Sequence, residues 1–273
     1  GTVAPPLLEV LRQLGDASRE RPDASRLRAA VALASPAFGG DEQQDAHEFF
    51  IELVNIVHDE LLTALDPYMP LPTQCFFHAQ VMKRLTCTEC GKHRDVWEFF
   101  RDFSLDFPGA GPCSVGDMVR AYFEREQITA TCEACGATSA SMSKHLEASP
   151  QVLVLHLKRF VPNMQLRSYE KRSERTRIPL QLDLSACGVQ CHTPPSSHRP
   201  ARYELRAAIA HEGSTPNSGH YVTYSLAAEG RWRVYDDAAV REVSGSVEDQ
   251  LACGAYLLFY VAADGRKLSS GVD

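Results

Sequence analysis

Apolar positions in the first 66 residues recur with the period of an α-helix. Leu7, Leu8, Leu11 and Leu14 fall at helical spacing, and Leu27, Ala30, Val31 and Ala34 repeat the pattern, which predicts two helices. The polar stretch 15–24 contains Pro22 and predicts the turn between them. A stronger stripe, Ala46, Phe49, Phe50, Leu53, Val54, Val57 and Leu61, predicts a third helix that starts after Gly39-Gly40-Asp41-Glu42 and stops before Pro67. Asp45 is its expected N-cap, with Glu48 as the reciprocal partner of a capping box.

From Phe76 onward the period changes to two. Phe77, Ala79, Val81 and Leu85 alternate with polar residues, as do Phe103, Leu105 and Phe107, so short strands are expected up to about residue 146. Residues 115–124 read as a short helix within this region. The continuous apolar run Val152-Leu153-Val154-Leu155 predicts a strand buried on both faces. Further strands are expected over 203–209, 220–225, 231–235 and 256–261. The charged segment 167–177 and the Pro-, Ser- and His-rich segment 192–200 predict exposed loops, and 264–273 a frayed tail. Helices first and strands afterwards make the expected class α+β.

Composition narrows the function by exclusion. Hydrophobic residues make up 44% of the chain, enough for a packed core. Lys+Arg 28 against Asp+Glu 35 leaves a net charge of -7, so no nucleic-acid partner is expected. No run approaches the ~18 apolar residues of a membrane helix, so no membrane partner is expected, and nothing at Gly1 reads as a secretory leader. Nine cysteines is an odd number that argues against a disulfide framework and for a reducing compartment, cytosol or nucleus.

Four of those cysteines form two tight pairs, Cys87-Thr88-Glu89-Cys90 and Cys132-Glu133-Ala134-Cys135, each followed by a glycine. Gly91 and Gly136 permit the tight turns that aim two thiolates at one ion, and four thiolates suit one tetrahedral Zn2+. Four protein ligands leave no open position, so the expected metal is structural. It would stabilise a set of strands with little apolar mass of its own.

The remaining chemistry gathers in three segments. Ser218-Gly219-His220 places a histidine at the start of a strand, and Tyr235-Asp236-Asp237 ends another strand in two carboxylates. A hairpin between them would set Asp236 beside His220, where a carboxylate orients an imidazole general base. Gln43-Gln44-Asp45 lies at a helix start, where N–H groups and side chains can bind an extended peptide. Taken singly, His220 reads as a structural residue, Asp236-Asp237 as a solvated turn and Asp45 as a cap. Spacing alone does not show which cysteine would attack.

Five blocks in order resemble the signatures of ubiquitin-specific proteases, which are papain-like deubiquitinating enzymes. They are Gln43-Gln44-Asp45-Ala46-His47-Glu48-Phe49, the stretch from Val152 to Lys158-Arg159-Phe160, Gly219-His220-Tyr221-Val222-Thr223-Tyr224, Trp232-Arg233-Val234-Tyr235-Asp236-Asp237, and Ala255-Tyr256-Leu257-Leu258-Phe259-Tyr260. The two cysteine pairs sit where that family keeps the zinc of its fingers. The resemblance spans about residues 40–262.

It implies one catalytic domain over 1–263, with a helical thumb (1–66), β fingers bearing structural zinc and part of the palm (about 76–146), and a β-rich palm (about 150–263). It also implies a monomer that binds ubiquitin and ubiquitinated proteins. His220 becomes the general base, Asp236 its orienter and Asp237 a helper or substitute. Gln44 and Asp45 would contact the ubiquitin tail, Gly219 and Tyr221 would line a channel too narrow for residues larger than Gly-Gly, and Phe160 would pack near that cleft. The family's nucleophile lies in a Gly-Asn-Thr-Cys-Tyr block ahead of the Gln-Gln-Asp segment. None of the nine cysteines stands in that context, so the nucleophile is expected upstream of Gly1. Three readings stay open: a deubiquitinase, a pseudo-protease that holds ubiquitin without cutting it, and a zinc-stabilised structural or interaction module.

Overall fold

Helical apolar spacing and Pro-bounded turns give the N-terminal part its elements. The computed structural model describes residues 2–15, 22–40, 42–109, 111–163, 167–190, 202–215 and 218–263. The chain divides into two compact units, Gly1–Cys75 and Phe76–Asp273.

In the first unit the helices Ala4–Gly15, Ser25–Ala34 and Ala46–Ala64 form where the stripes predicted them. Val3, Ala30, Val31 and Val57 are buried at their centre, against Leu7, Leu27, Leu53 and Leu61. The Glu60 carboxylate accepts from the Val3 and Ala4 amides at 2.7 and 2.8 Å, so the third helix supplies the anionic cap of the first. Asp45 caps the third helix itself, accepting from the His47 and Glu48 amides at 2.7 and 3.0 Å. A complete reciprocal capping box occurs instead at Ser114 and Asp117, which open the helix Val115–Phe123.

One expected strand start is wrong. Phe76 and Phe77 belong to a short helix, Pro72–Phe77, and the strand begins only at Ala79. Proline is favoured in a first helical turn, and the Gln74 and Cys75 amides fold back onto the Leu71 carbonyl.

The second unit is built on two main sheets. The smaller is antiparallel, in the order His93–Phe100, Ala79–Cys87, Ser139–Ala148, Glu126–Thr129. Its outer strand, His93–Phe100, buries no residue completely and exposes Trp97 and Phe99.

The larger sheet runs Ala239–Glu242, Trp232–Asp236, Ser218–Leu226, Arg202–Thr215, Ala255–Ala262, Val152–Leu157, Phe103–Leu105, with Gln181–Asp183 also paired to Arg202–Thr215. All its pairings are antiparallel except Phe103–Leu105 with Val152–Leu157. Leu105, Leu153, Leu155, Leu205, Leu258 and Tyr260 are buried in one continuous core, joined by Met118 and Val119 of the helix Val115–Phe123. Helices together with a large mixed sheet bear out the α+β class.

The segment 167–177 is largely exposed, as expected, but it is not a loop throughout. Ser168–Lys171 pairs antiparallel with Phe160–Asn163, and Thr176 is buried beside Cys113 in a short parallel pair. Two of its charges are turned inward: Lys171 donates to main-chain carbonyls, and Arg172 donates to the Gly109 carbonyl and stacks 4.8 Å from the centre of Phe107. The segment 192–200 and the tail 264–273 lie outside the described residues.

Candidate active site and metal centre

The strands Ser218–Leu226 and Trp232–Asp236 form the expected hairpin, with Thr223 opposite Tyr235. Continuing that register sets Asp236 opposite Val222, two residues on from His220 along the first strand. His220 Nε2 lies 2.8 Å from Asp236 Oδ1 and 4.0 Å from Asp237 Oδ2. Asp237 stands just past the strand end at φ 47° and is largely exposed, so it is the weaker of the two carboxylate partners. Arg241 Nη1 approaches the other oxygen of Asp236 at 3.6 Å.

Because Nε2 is the nitrogen facing the carboxylate, the hydrogen-bond network assigns the ring proton there and leaves the Nδ1 lone pair to accept a proton. That is the tautomer a general base needs. Among the described residues no cysteine sulfur is hydrogen-bonded to His220.

Gly219, Tyr221 and Phe160 also converge. A Cβ on Gly219 would sit 2.3 Å from His211 Nε2 and 2.5 Å from the Glu212 carbonyl oxygen, so no side chain fits. The His211 ring packs edge-on against Phe160 and Tyr221, each at 5.0 Å between centres, and Tyr256 closes the group at 5.1 Å from Phe160. Gln44 and Asp45 belong to the first unit, both half-buried, at the start of the helix Ala46–Ala64.

Three participants escaped the sequence reading. His211 and Tyr256 complete the aromatic wall; Tyr256 stands in one of the signature blocks without having been assigned a role, and the pointer to His211 was the pair Gly213 and Gly219 ahead of His220. The third is Arg159, which is completely buried. Its guanidinium donates to the carbonyls of Ala252, Ala255, Arg172 and Glu174 and to Thr176 Oγ1. It also stacks 5.2 Å from the centre of Phe107. Burial pulls its pKa down to about 10, so it remains a cation at neutral pH. Arg159 ties the loop preceding Ala255–Ala262 to the segment 172–176.

The four paired cysteines meet at the far end of the smaller sheet. Cys87 and Cys90 flank the turn joining Ala79–Cys87 to His93–Phe100, and Cys132 and Cys135 the turn joining Glu126–Thr129 to Ser139–Ala148. Gly91 and Gly136 adopt φ 72° and 74°, and their amides close each turn onto the Cys87 and Cys132 carbonyls at 3.1 and 2.8 Å. Sγ of Cys87 lies 3.7 Å from that of Cys135, Sγ of Cys90 lies 3.7 Å from that of Cys132, and all four lie within 4.8 Å of one another. A tetrahedron with metal–sulfur bonds of ~2.3 Å has edges of ~3.8 Å, so the donor set fits zinc in number, kind and spacing. The Ala134 and Cys135 amides bring Cys132 down to about 6, and the Cys90 and Glu89 amides lower Cys87. Cys135 moves the other way, up to about 12, because the Ala137 amide that favours its thiolate is outweighed by the Cys90 and Cys87 sulfurs beside it.

Residues 3–260 match the family model described as "Ubiquitin carboxyl-terminal hydrolase". The chain belongs to the ubiquitin carboxyl-terminal hydrolase family. Ubiquitin carboxyl-terminal hydrolase 3 of Mus musculus is 29% identical over 85% of this chain and 51% of its own length. Ubiquitin carboxyl-terminal hydrolase 44-B of Xenopus laevis is 30% identical over 82% of this chain and 36% of its own. The chain therefore spans about half or less of the curated relatives it matches. Among solved structures, the SAGA DUB module bound to ubiquitin aldehyde superposes with a TM-score of 0.79 at 23% identity, covering 97% of this chain and 60% of that one. That likeness establishes the fold of this family, papain-like with a helical part and a large sheet. The hydrolase signature blocks containing His220 and Asp236 lie inside the matched span.

Proposed function

We propose that this chain carries the base half of a thiol-dependent deubiquitinase, which hydrolyses peptide and isopeptide bonds at the C-terminal glycine of ubiquitin. The observation that carries the reading is the 2.8 Å contact of His220 Nε2 with Asp236 inside the matched family span. A cysteine thiol supplied to the site passes its proton to His220 Nδ1, and the thiolate attacks the carbonyl carbon of the scissile bond. The imidazolium, stabilised by Asp236, returns the proton to the leaving amine as the thioester forms. Water then hydrolyses the thioester with His220 again acting as base.

Gln44 and Asp45 contact the ubiquitin tail in this reading, while Gly219 and Tyr221 admit only its terminal Gly-Gly. Replacing Asp45 by Asn keeps most of the helix cap but removes the charge, so affinity for ubiquitin falls at unchanged thermal stability. Cys87, Cys90, Cys132 and Cys135 hold one structural zinc, and a reducing compartment, cytosol or nucleus, suits those thiolates. The protein works as a monomer. Metal analysis of the purified chain gives one zinc per molecule, and a metal-free, fully folded chain would remove the zinc assignment.

The deciding experiment adds ubiquitin bearing a C-terminal electrophile to an extract of the native source and maps the adduct by mass spectrometry. A label on a cysteine in a Gly-Asn-Thr-Cys-Tyr context supports hydrolysis. A label on one of the nine cysteines present would overturn the statement that none of them attacks. Ubiquitin retained without any adduct would replace hydrolysis by binding alone.

A further inference from the structure

Arg202–Thr215 is longer than the neighbour on its inner side. Its pairing with Ala255–Ala262 ends at Ala210 opposite Ala255, and the last bond across that side runs from the His211 amide to the Gly254 carbonyl at 2.9 Å. Beyond this point, among the described residues, no strand is paired to receive the carbonyls of His211 and Gly213, which alternate residues direct to the same side. Lys171 fills that place. Its ammonium donates to the His211 oxygen at 2.6 Å and to the Gly213 oxygen at 2.8 Å.

These two carbonyls bracket a critical point of the fold. On the opposite side of Arg202–Thr215, Glu212 is paired with His220, and the register slips between Glu212 and Thr215. Gly213 adopts φ 138°, a conformation open to glycine, and a Cβ there would strike the Ser218 oxygen at 2.6 Å. The His211 ring presses on Gly219, directly before His220. The bulge therefore sets where His220 stands, and whatever fixes the bulge fixes the base.

Phe160 is the residue paired with Lys171 across the hairpin formed by Phe160–Asn163 and Ser168–Lys171. Its ring lies on the His211 ring. One strand thus holds His211 by its side chain and the other by its carbonyl. We propose that Lys171 is a positioning residue for His220: its ammonium stands in for a missing strand and locks the bulge between Glu212 and Thr215. The inference rests on the reading of His220 as the base. Burial and the nearby Arg159 pull the Lys171 ammonium down from its ordinary value while Glu212 and Cys253 favour its charge.

The test uses the full-length protein from its native source, with Lys171→Met, which keeps the stem and removes the charge, and Lys171→Arg, which keeps charge and donors. Two readouts are taken: kcat and KM on a fluorogenic ubiquitin amide, and the His220 Nε2 proton by NMR on histidine-labelled protein. The expected result for Lys171→Met is a fall in kcat of about 10- to 100-fold, as for a misplaced catalytic group, with KM nearly unchanged. Loss or broadening of the His220 Nε2–H signal accompanies it, and Lys171→Arg restores most of both.

An unchanged kcat per folded molecule, with only the melting temperature lowered, would make Lys171 merely structural and overturn the proposal. A fall in kcat with the His220 signal intact would overturn it too. If the unaltered protein shows no hydrolysis, the deubiquitinase reading fails. The His220 signal in Lys171→Met then decides the positioning role alone.

Discussion

Placing one methyl group on Gly219 tests the packing around His220 directly. In Gly219→Ala the new Cβ meets three atoms below 3.0 Å: His211 Nε2 at 2.3 Å, His211 Cε1 at 2.5 Å and the Glu212 carbonyl oxygen at 2.5 Å. The His211 ring cannot swing away freely, because Phe160 and Tyr221 flank it at 5.0 Å and it is buried. The Glu212 oxygen belongs to a backbone held on either side by Lys171. Overpacking of this kind costs about 1–3 kcal/mol, and a clash with backbone on one side places this case near the upper figure. For a unit of this size ~3 kcal/mol corresponds to a fall in Tm of roughly 6–12 °C. Gly109→Ala is the matched control, since nothing lies within 4 Å of its added Cβ. Calorimetric melting of both variants supplies the stability, and ubiquitin affinity of the same samples supplies the channel effect. Equal melting of Gly219→Ala and Gly109→Ala would refute the reasoning, because it would mean that His211 and the bulge yield freely.

Three further outcomes are expected. Asp236→Asn keeps the shape of the hairpin but favours the wrong imidazole tautomer, so the labelling rate with electrophilic ubiquitin in the native protein drops roughly 100-fold or more at unchanged Tm; an unaltered rate would transfer the orienting role to Asp237. Arg159→Met leaves a buried cluster of acceptors without a donor and costs about 3–5 kcal/mol in urea denaturation, whereas a loss below about 1 kcal/mol would show the cluster rearranging around the gap. The stability also has an acid limb. Asp95 beside Arg84, Asp117 beside Ser114, Glu174 beside Arg172 and Asp183 beside Arg202 are all held below their ordinary carboxylate values. Depressed folded values mean that their stabilisation is complete above about pH 5 and is lost as pH falls below about 4, so the urea midpoint is lower at pH 3 than at pH 7. A midpoint independent of pH over that range would contradict the ion-pair geometry.

Much of this architecture is written in periodicity. The stripe from Ala46 to Leu61 and the apolar run from Val152 fold as their spacing implies, because burial of a continuous face outweighs local alternatives. The His220–Asp236 pair was legible for the same reason: a strand, a turn and a strand leave few registers. Segment 167–177 was misread as loop throughout because its charges hid the pairing of Ser168–Lys171, and within it the half-buried Lys171 and Arg172 use their ammonium and guanidinium groups to satisfy carbonyls and to cover Phe107. Composition reports the charge of such a group but not its acceptor. His211 stayed hidden for a related reason. Its role arises from contact with a glycine eight residues away, around a bulge that no alternation pattern encodes.

The separation of partners along the chain sets an order of assembly. His220 and Asp236 are 16 residues apart and meet within a meander of consecutive strands, so the loop they close is small and forms early. Arg159 reaches Ala252 and Ala255 across 93 and 96 residues, contacts that become available only after the sheet has gathered its distant strands. Changes in the hairpin should therefore slow folding, and changes at Arg159 should mainly hasten unfolding. On this order His220 and Asp236 are expected to meet first, with the buried guanidinium of Arg159 as the latch that keeps them folded.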